Sequence, residues 1–254
     1  GMNIGGISVG GMVSNRKTFS NILMPNVHHL RHTHLPENLF VKGEPETGVD
    51  LANDLERIAA NIGPENIAAC IVEPIAGSTG TLVPPKGYLQ RLRDICDKHG
   101  ILLIFDEVIT GWGRTGSPFA SQAFGVTPDI MTMAKAITNG VVPLGAVASR
   151  ENIYDTVLDA SPMGAVEFFH GYTYSAIPPS IAAGLAMQNI IEKENLFQRS
   201  KDMSPYFLDG LFSLKDIDII TDIRGYGMLG GIDVRFDERP GKAGYTCFKK
   251  LFEA

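Results

Sequence analysis

Ile101-Leu102-Leu103-Ile104-Phe105-Asp106-Glu107 is the stretch on which the fold turns. Five apolar residues in a row, opened by His99-Gly100 and closed by two carboxylates, read as a short strand. Upstream lies a helix behind Pro84-Pro85, with an apolar stripe at Tyr88, Leu89, Leu92, Ile95 and Cys96 and Gly100 in the C′ place. Before that helix, Ile67-Ala68-Ala69-Cys70-Ile71-Val72 is another apolar run. It is partly β-branched and ends at Glu73-Pro74, the pattern of a strand buried on both faces. Downstream, Ile130-Met131-Thr132-Met133-Ala134 meets Lys135, and a fourth run from Leu144 to Ala148 follows the Asn139-Gly140 turn. Strand, helix, strand, connection, strand is the order of an α/β domain with a mostly parallel sheet.

The remaining segments frame this unit. Residues 1–50 are rich in Gly, Pro, Asn and His and read as irregular. Asp50 is placed to cap a helix through Leu51, Leu55, Ile58 and Ala59. Pro178 opens a helix that runs to about Phe197, and a second helix spans about Asp202 to Leu214. Two strand-like runs follow between Ile217 and Phe236, around Arg224-Gly225-Tyr226-Gly227. The change of rhythm divides the chain into a large domain, residues 1–204, and the start of a smaller α+β domain, residues 205–254. The terminal GYTCFKKLFEA reads as a helix that stops without a cap, and the front, Gly1-Met2 onward, has glycines but no preceding strand. Both ends look cut.

Composition narrows the class. The chain has 254 residues, 44% hydrophobic and 20% charged, enough to bury a core. Its 22 basic residues are scattered and outnumbered, giving a net charge of −6, which speaks against a nucleic-acid partner. No run of 18 apolar residues is present, so no membrane span is expected, and no signal peptide is visible. Cys70, Cys96 and Cys247 are odd in number and far apart, and reduced, buried thiols are expected. These features suit a cytoplasmic enzyme.

Three apolar runs end in a residue that can do chemistry: Glu73, Asp106 and Lys135. Ligands of open parallel sheets bind beyond the carboxyl ends of the strands. A strand-end Asp alone is more often a turn former, and a strand-end Lys more often a solvated charge. Together they make a site. A lysine amine beside carboxylates and between apolar walls can attack a carbonyl to give an imine. Pyridoxal phosphate requires such a lysine, and an acid to keep its ring nitrogen protonated.

These residues lie in longer motifs. ACIVEPIAGSTGTLVPPKGYLQRLRDICDKHGILLIFDEVITGWGRTG (69–116), PDIMTMAKAITNGVVPLGAVA (128–148) and HGYTYSAIPPSIAAGLA (170–186) resemble the class III aminotransferases of the pyridoxal-phosphate fold type I superfamily. The nearest resemblance is to the ω-amino acid (β-alanine):pyruvate aminotransferases, and it extends over NIGGISVGGMVSNR (3–16) and LRHTHLPEN (30–38). The resemblance implies a three-layer sandwich and a homodimer. It implies that Lys135 holds the cofactor as a Schiff base and moves a proton on the substrate as base and then acid. Asp106 would pair with the pyridinium nitrogen, Val108 would pack on the ring, and Glu73 would lie near the ring. Thr173 would reach the cofactor phosphate of the other subunit. The reaction would pass an amino group from an ω-amino acid or amine to pyruvate by a ping-pong route.

The resemblance also implies missing parts. The family's phosphate-gripping loop and ring-stacking aromatic belong before Gly1, and its carboxylate-binding arginine beyond the last residue. The chain then reads as a fragment that is weak or inactive by itself. Two other readings stand beside the transaminase: a class III aminomutase, which needs no added acceptor, and a non-catalytic remnant.

Weaker signals have bland readings. His28, His29, His32 and His34 crowd one stretch, and His28 and His32 have a metal-ligand spacing if helical, but no cysteine completes a set and the family uses no metal there. Gly6 to Gly11 lacks the pattern of a phosphate loop. Arg114 reads as part of its Gly-rich turn, Arg224 as structural, and Trp112 stands where the family often has Phe.

Overall fold

A computed structural model of the chain describes residues 3–163, 168, 170–235 and 242–254. Strands β1 (Ala69–Val72), β2 (Leu102–Asp106), β3 (Ile130–Met133) and β4 (Ala146–Ser149) stand in that order in one sheet. The first three are parallel and β4 is antiparallel to β3. Helices α1 (Ile4–Val9), α2 (Val13–Thr18) and α3 (Asp54–Ile62) precede β1, and α4 (Tyr88–His99) connects β1 to β2. A single turn, α5 (Ala120–Ala123), lies between β2 and β3, and α6 (Glu151–Asp159) follows β4. Two long helices, α7 (Pro178–Lys193) and α8 (Leu196–Phe212), lead to the antiparallel hairpin β5 (Ile220–Tyr226) and β6 (Leu229–Val234). Helix α9 (Lys242–Glu253) ends the chain. The expected end of the second strand run, Phe236, and the opening Gly1-Met2 lie outside the described residues.

The core forms where the stripe of α4 meets one face of the sheet. Leu89, Leu92, Ile95 and Cys96 pack with Cys70, Leu103 and Phe105, and with Leu51 and Leu55 from the segment before β1. Gly100 ends α4 as expected: it takes the left-handed conformation at φ 69°, and its N–H donates to the Cys96 carbonyl. Removing this cluster from water is the largest favourable term in folding. Cys70 and Cys96 are free thiols inside it, and Cys247 is half-buried.

Four expectations are corrected. The segment before residue 50 is not wholly irregular, since α1 forms behind Asn3, whose side chain accepts from the Gly6 amide. Asp50 does not cap α3. Gly48, at φ 117°, turns the chain into a 3-10 stretch at Val49–Asn53, and α3 starts only at Asp54. The helix opened by Pro178 stops at Lys193, because Asn195 at φ 50° reverses the chain, and α8 begins at Leu196 rather than near Asp202. Nor is β1 buried on both faces. Cys70 faces the core, but Ile71 is 40% exposed on the other side. The strand period of two puts Ile71, Ile104, Thr132 and Val147 on that second face, where Val147 is 69% exposed.

One buried acid ties three elements together. The Asp129 carboxylate accepts from the Leu103 amide and the Arg93 guanidinium, both at 2.7 Å, and pairs with Arg150 at 3.3 Å. The Asp129 amide donates to the Leu103 carbonyl, so β2, α4 and the residue after β4 are fastened at one point. Burial pushes this carboxyl up, but the Leu103 amide and the Arg93 and Arg150 charges outweigh it and hold it below the usual range. Its stabilisation is therefore complete above the unfolded carboxylate value, near pH 4, and is lost as pH falls through the lower folded value. Asp129→Asn should cost about 3 kcal/mol at pH 7, the scale of breaking a buried pair. It should also flatten the loss of stability on acidification below about pH 4. Urea melts of both proteins from pH 7 to pH 3 check this; parallel acid limbs would remove Asp129 as a source of acid sensitivity.

Candidate active site

The three parallel strands deliver Glu73, Asp106 and Lys135 to one edge of the sheet. Val72 pairs with Phe105 and Asp106 with Thr132, so the carboxyl ends of β1, β2 and β3 are level. Glu73 directly follows β1, Asp106 is the last residue of β2, and Lys135 comes two residues after β3. Burial, helped by the charge on Asp106, pushes the Glu73 carboxyl above its ordinary range, while the Gly77 amide and Lys135 pull the other way. The Gly77 N–H donates to Glu73 Oε2 at 3.0 Å.

Asp106 is half-buried and accepts the Val108 amide at 3.1 Å, which seats Val108 beside it. Lys135 has an unusual backbone for its type. It opens a 3-10 turn at φ 51°, left-handed space that costs an L-residue about 1–2 kcal/mol. The turn holds it there: the Lys135 carbonyl accepts the amides of Thr138 and Gly140, and the buried Thr138 hydroxyl donates to the Val142 carbonyl at 2.7 Å. Among the described residues, the exposed Lys135 ammonium makes no hydrogen bond or ion pair, so the amine is unengaged. An unengaged amine level with two carboxylates can attack a carbonyl carbon and then carry protons. The donor set therefore fits an aldehyde-bearing aromatic cofactor whose ring nitrogen wants a carboxylate.

Thr173 is not brought to this group. It sits in an exposed turn between Tyr172 and Tyr174, which are 83% and 80% exposed, and no hydrogen bond among the described residues links it to Glu73, Asp106 or Lys135. The histidine stretch also resolves differently from its spacing. Among the described residues, the one grouping with metal-ligand proximity is His34 with Asp222 and Asp233, and His28 and His32 are not part of it. His34 Nε2 stands 3.9 Å from each acid, and the Arg224 guanidinium already bonds to both carboxylates. A fixed cation there competes with any metal. Trp112 is a loop-former, left-handed at φ 64°, its amide bonded to the Pro118 carbonyl and its ring edge-on to Phe119 at 5.4 Å. The Arg114 carbonyl accepts the Met228 amide, which ties this loop to the β5–β6 hairpin.

Sequence reasoning passed over Glu107. It has no exposed surface, and its carboxylate accepts the Thr110 hydroxyl at 2.8 Å and the Ala120 and Ser121 amides at 2.7 Å. Alternation along β2 was the available signal, since the residue after an outward Asp106 must turn inward. Glu107→Ala would strand two backbone N–H groups in the core, and a loss of about 3 kcal/mol or more is expected. Glu107→Gln keeps one acceptor oxygen and should fall between the two. Thermal or urea unfolding measures both, and a neutral Glu107→Ala would show that the bonds contribute nothing net.

Comparison with known proteins follows the same residues. The aminotransferase class-III family matches residues 1–251. The omega-aminotransferase of Caulobacter vibrioides is 54% identical over 242 residues, 95% of this chain and 54% of that protein. The beta-alanine–pyruvate aminotransferase of Pseudomonas aeruginosa is 48% identical over 259 residues, 99% of this chain and 57% of that one. A solved structure of the omega transaminase from Pseudomonas jessenii in complex with PMP superimposes with a TM-score of 0.81 at 34% identity, over 92% of this chain and 51% of the other. The chain spans about half the length of the curated relatives it matches. Its match along nearly all its own length, with the strand-end lysine and acids inside it, makes it a member of the class III aminotransferases.

Proposed function

We propose that this chain carries the lysine and carboxylates of a pyridoxal-phosphate-dependent transaminase that passes an amino group from an ω-amino acid or amine to pyruvate. The observation that carries the reading is the level placement of Asp106 and the unengaged Lys135 at the ends of paired strands, with Glu73 beside them. The names of the relatives, one an omega-aminotransferase and one a beta-alanine–pyruvate aminotransferase, support the substrate class. Pyridoxal phosphate, when bound, supplies an electron sink for the bond broken at the substrate's amine-bearing carbon. Lys135 would hold its aldehyde carbon and, once displaced by the donor amine, move the proton at the substrate carbon. Asp106 would keep a proton on the ring nitrogen, Val108 would pack on the ring, and Glu73 would polarise the neighbourhood of both.

The same reading makes the protein a cytoplasmic homodimer in which the exposed Thr173 serves the partner's site, with residues 1–204 as cofactor domain and 205–254 as the start of a small domain. Among the described residues no helix is long and apolar enough to cross a membrane.

Incubation with pyridoxal phosphate, borohydride reduction and peptide mass measurement should give an adduct on Lys135, lost in Lys135→Ala. Alanine formation from pyruvate and an ω-amino acid is the companion assay. An adduct elsewhere, or none at saturating cofactor, sinks the cofactor assignment. Turnover of the amino acid without any acceptor would replace transaminase with aminomutase.

A further inference from the structure

We propose that Arg224, on β5, is a positioning residue for the candidate active site, acting on Glu73 through the turn Gly77–Gly80. The proposal rests on the reading of the site given above and adds a residue to it that no strand-end argument reaches.

Arg224 is buried, and its guanidinium uses every edge. Nη1 bonds to the fully buried Asp222 and to Asp233 at 2.8 Å, and Nη2 bonds to Asp233 at 3.0 Å. These bonds would serve a purely local ion pair. The remaining donor does not: Nε donates to the Gly80 carbonyl at 2.7 Å, across 144 residues of sequence. Gly80 closes a tight turn in which the amides of Gly80 and Thr81 both donate to the Gly77 carbonyl at 3.0 Å. The Gly77 amide, at the other end of the same turn, donates to Glu73 Oε2. Hydrogen bonds at both ends of one short turn, joined through the Gly77 backbone, thus link Arg224 to a carboxyl that senses the charges of Asp106 and Lys135.

The turn has little freedom to absorb a shift. Its base is closed by paired bonds between Ala76 and Leu82. The Thr81 hydroxyl donates to the Gly230 carbonyl at 3.2 Å, and a Cβ on Gly231 would lie 2.6 Å from the Gly80 oxygen. At its other end, a Cβ on Gly77 would lie 2.5 Å from Ile109 Cδ1. β6 therefore presses the turn from one side and Ile109, three residues beyond Asp106, from the other. The Asp222 carboxylate also accepts the Phe40 amide at 2.6 Å, so the guanidinium is itself anchored to the N-terminal segment. Lysine cannot copy this role, because the four bonds leave from three separate nitrogens of a planar guanidinium, whereas an ammonium offers three protons on one nitrogen.

The test uses the full chain with Arg224→Lys, Arg224→Gln, Glu73→Gln and the pairwise combinations of Glu73→Gln with each Arg224 variant. Asp129→Asn, which loosens β2 without touching the turn, serves as the control for general destabilisation in the exchange measurement. Amide hydrogen exchange is followed at Gly77, Gly80 and Thr81, together with the rate at which borohydride traps pyridoxal phosphate on Lys135. The expected result is faster exchange at the three amides in both Arg224 variants but not in Asp129→Asn. Trapping should slow about fivefold with Glu73 present and change little in the Glu73→Gln background, the non-additivity of residues that act through one another. Unchanged exchange at the turn overturns the proposal, as does an equal trapping effect in both backgrounds. If wild type forms no adduct, the cofactor reading fails while exchange still decides whether Arg224 holds the turn. If Arg224→Gln does not fold, Arg224→Lys carries both measurements.

Discussion

A carboxylate with no exposed surface directly follows the strand that ends in Asp106, and much of the candidate site depends on how Glu107 is satisfied. An isolated buried charge would cost far more than a domain's net stability, so its partners are obligatory. They come from Thr110, Ala120 and Ser121, which forces the chain after β2 to fold back on itself. The folded loop then becomes a docking surface. The Ser200 hydroxyl of α8 bonds to the Gly113 carbonyl, and the Met228 amide at the hairpin tip bonds to the Arg114 carbonyl. Gly227 lies so close that a Cβ there would stand 2.6 Å from the Arg114 oxygen. Asp106, one residue before Glu107 and on the opposite face, inherits this rigidity without making any of these contacts.

Two buried acids thus bracket β2. Asp129 grips the Leu103 amide near its start, and Glu107 fixes its exit. Between them the register with β3 is set, and with it the level of Asp106 relative to Lys135. The left-handed backbone at Lys135 is part of the same arrangement. Strain of that kind persists only where surrounding bonds over-determine it, and the amides of Thr138 and Gly140 on the Lys135 carbonyl do so here.

The strand-end residues were legible because two signals coincide: an unbroken apolar run says strand, and the first polar residue after it marks the carboxyl end. Gly100 and Pro178 were legible because capping is local chemistry. What escaped was whatever depends on distant partners. Glu107 reads as the second half of an acidic pair until the core face of β2 is known. Asp50 reads as a cap in isolation, but Gly48 turns the chain into a 3-10 stretch that holds Asp50, and α3 begins only at Asp54, whose carboxylate is taken by three bonds from Arg31. Asn195 lies in an otherwise helical pattern, and only its left-handed backbone shows the break. Arg224 was read as structural, correctly for its carboxylate partners, but its bond to Gly80 joins residues no local pattern relates.

The open side of the sheet bears on how the charged groups sense each other. Ile71 and Val147 share a face with Asp106, through Ile104 and Thr132, and both are substantially exposed. Asp106 on that face is only half-buried, and solvent contact weakens charge–charge coupling. The same three groups in a dry site would interact several times more strongly, because the energy of two charges scales inversely with the effective dielectric. Any chain segment or subunit that covers this face therefore does two things at once: it buries apolar surface, and it sharpens the coupling between the carboxylates and the amine. The groups proposed to do the chemistry come from three strand ends, but their electrostatic strength is set by what lies over the sheet.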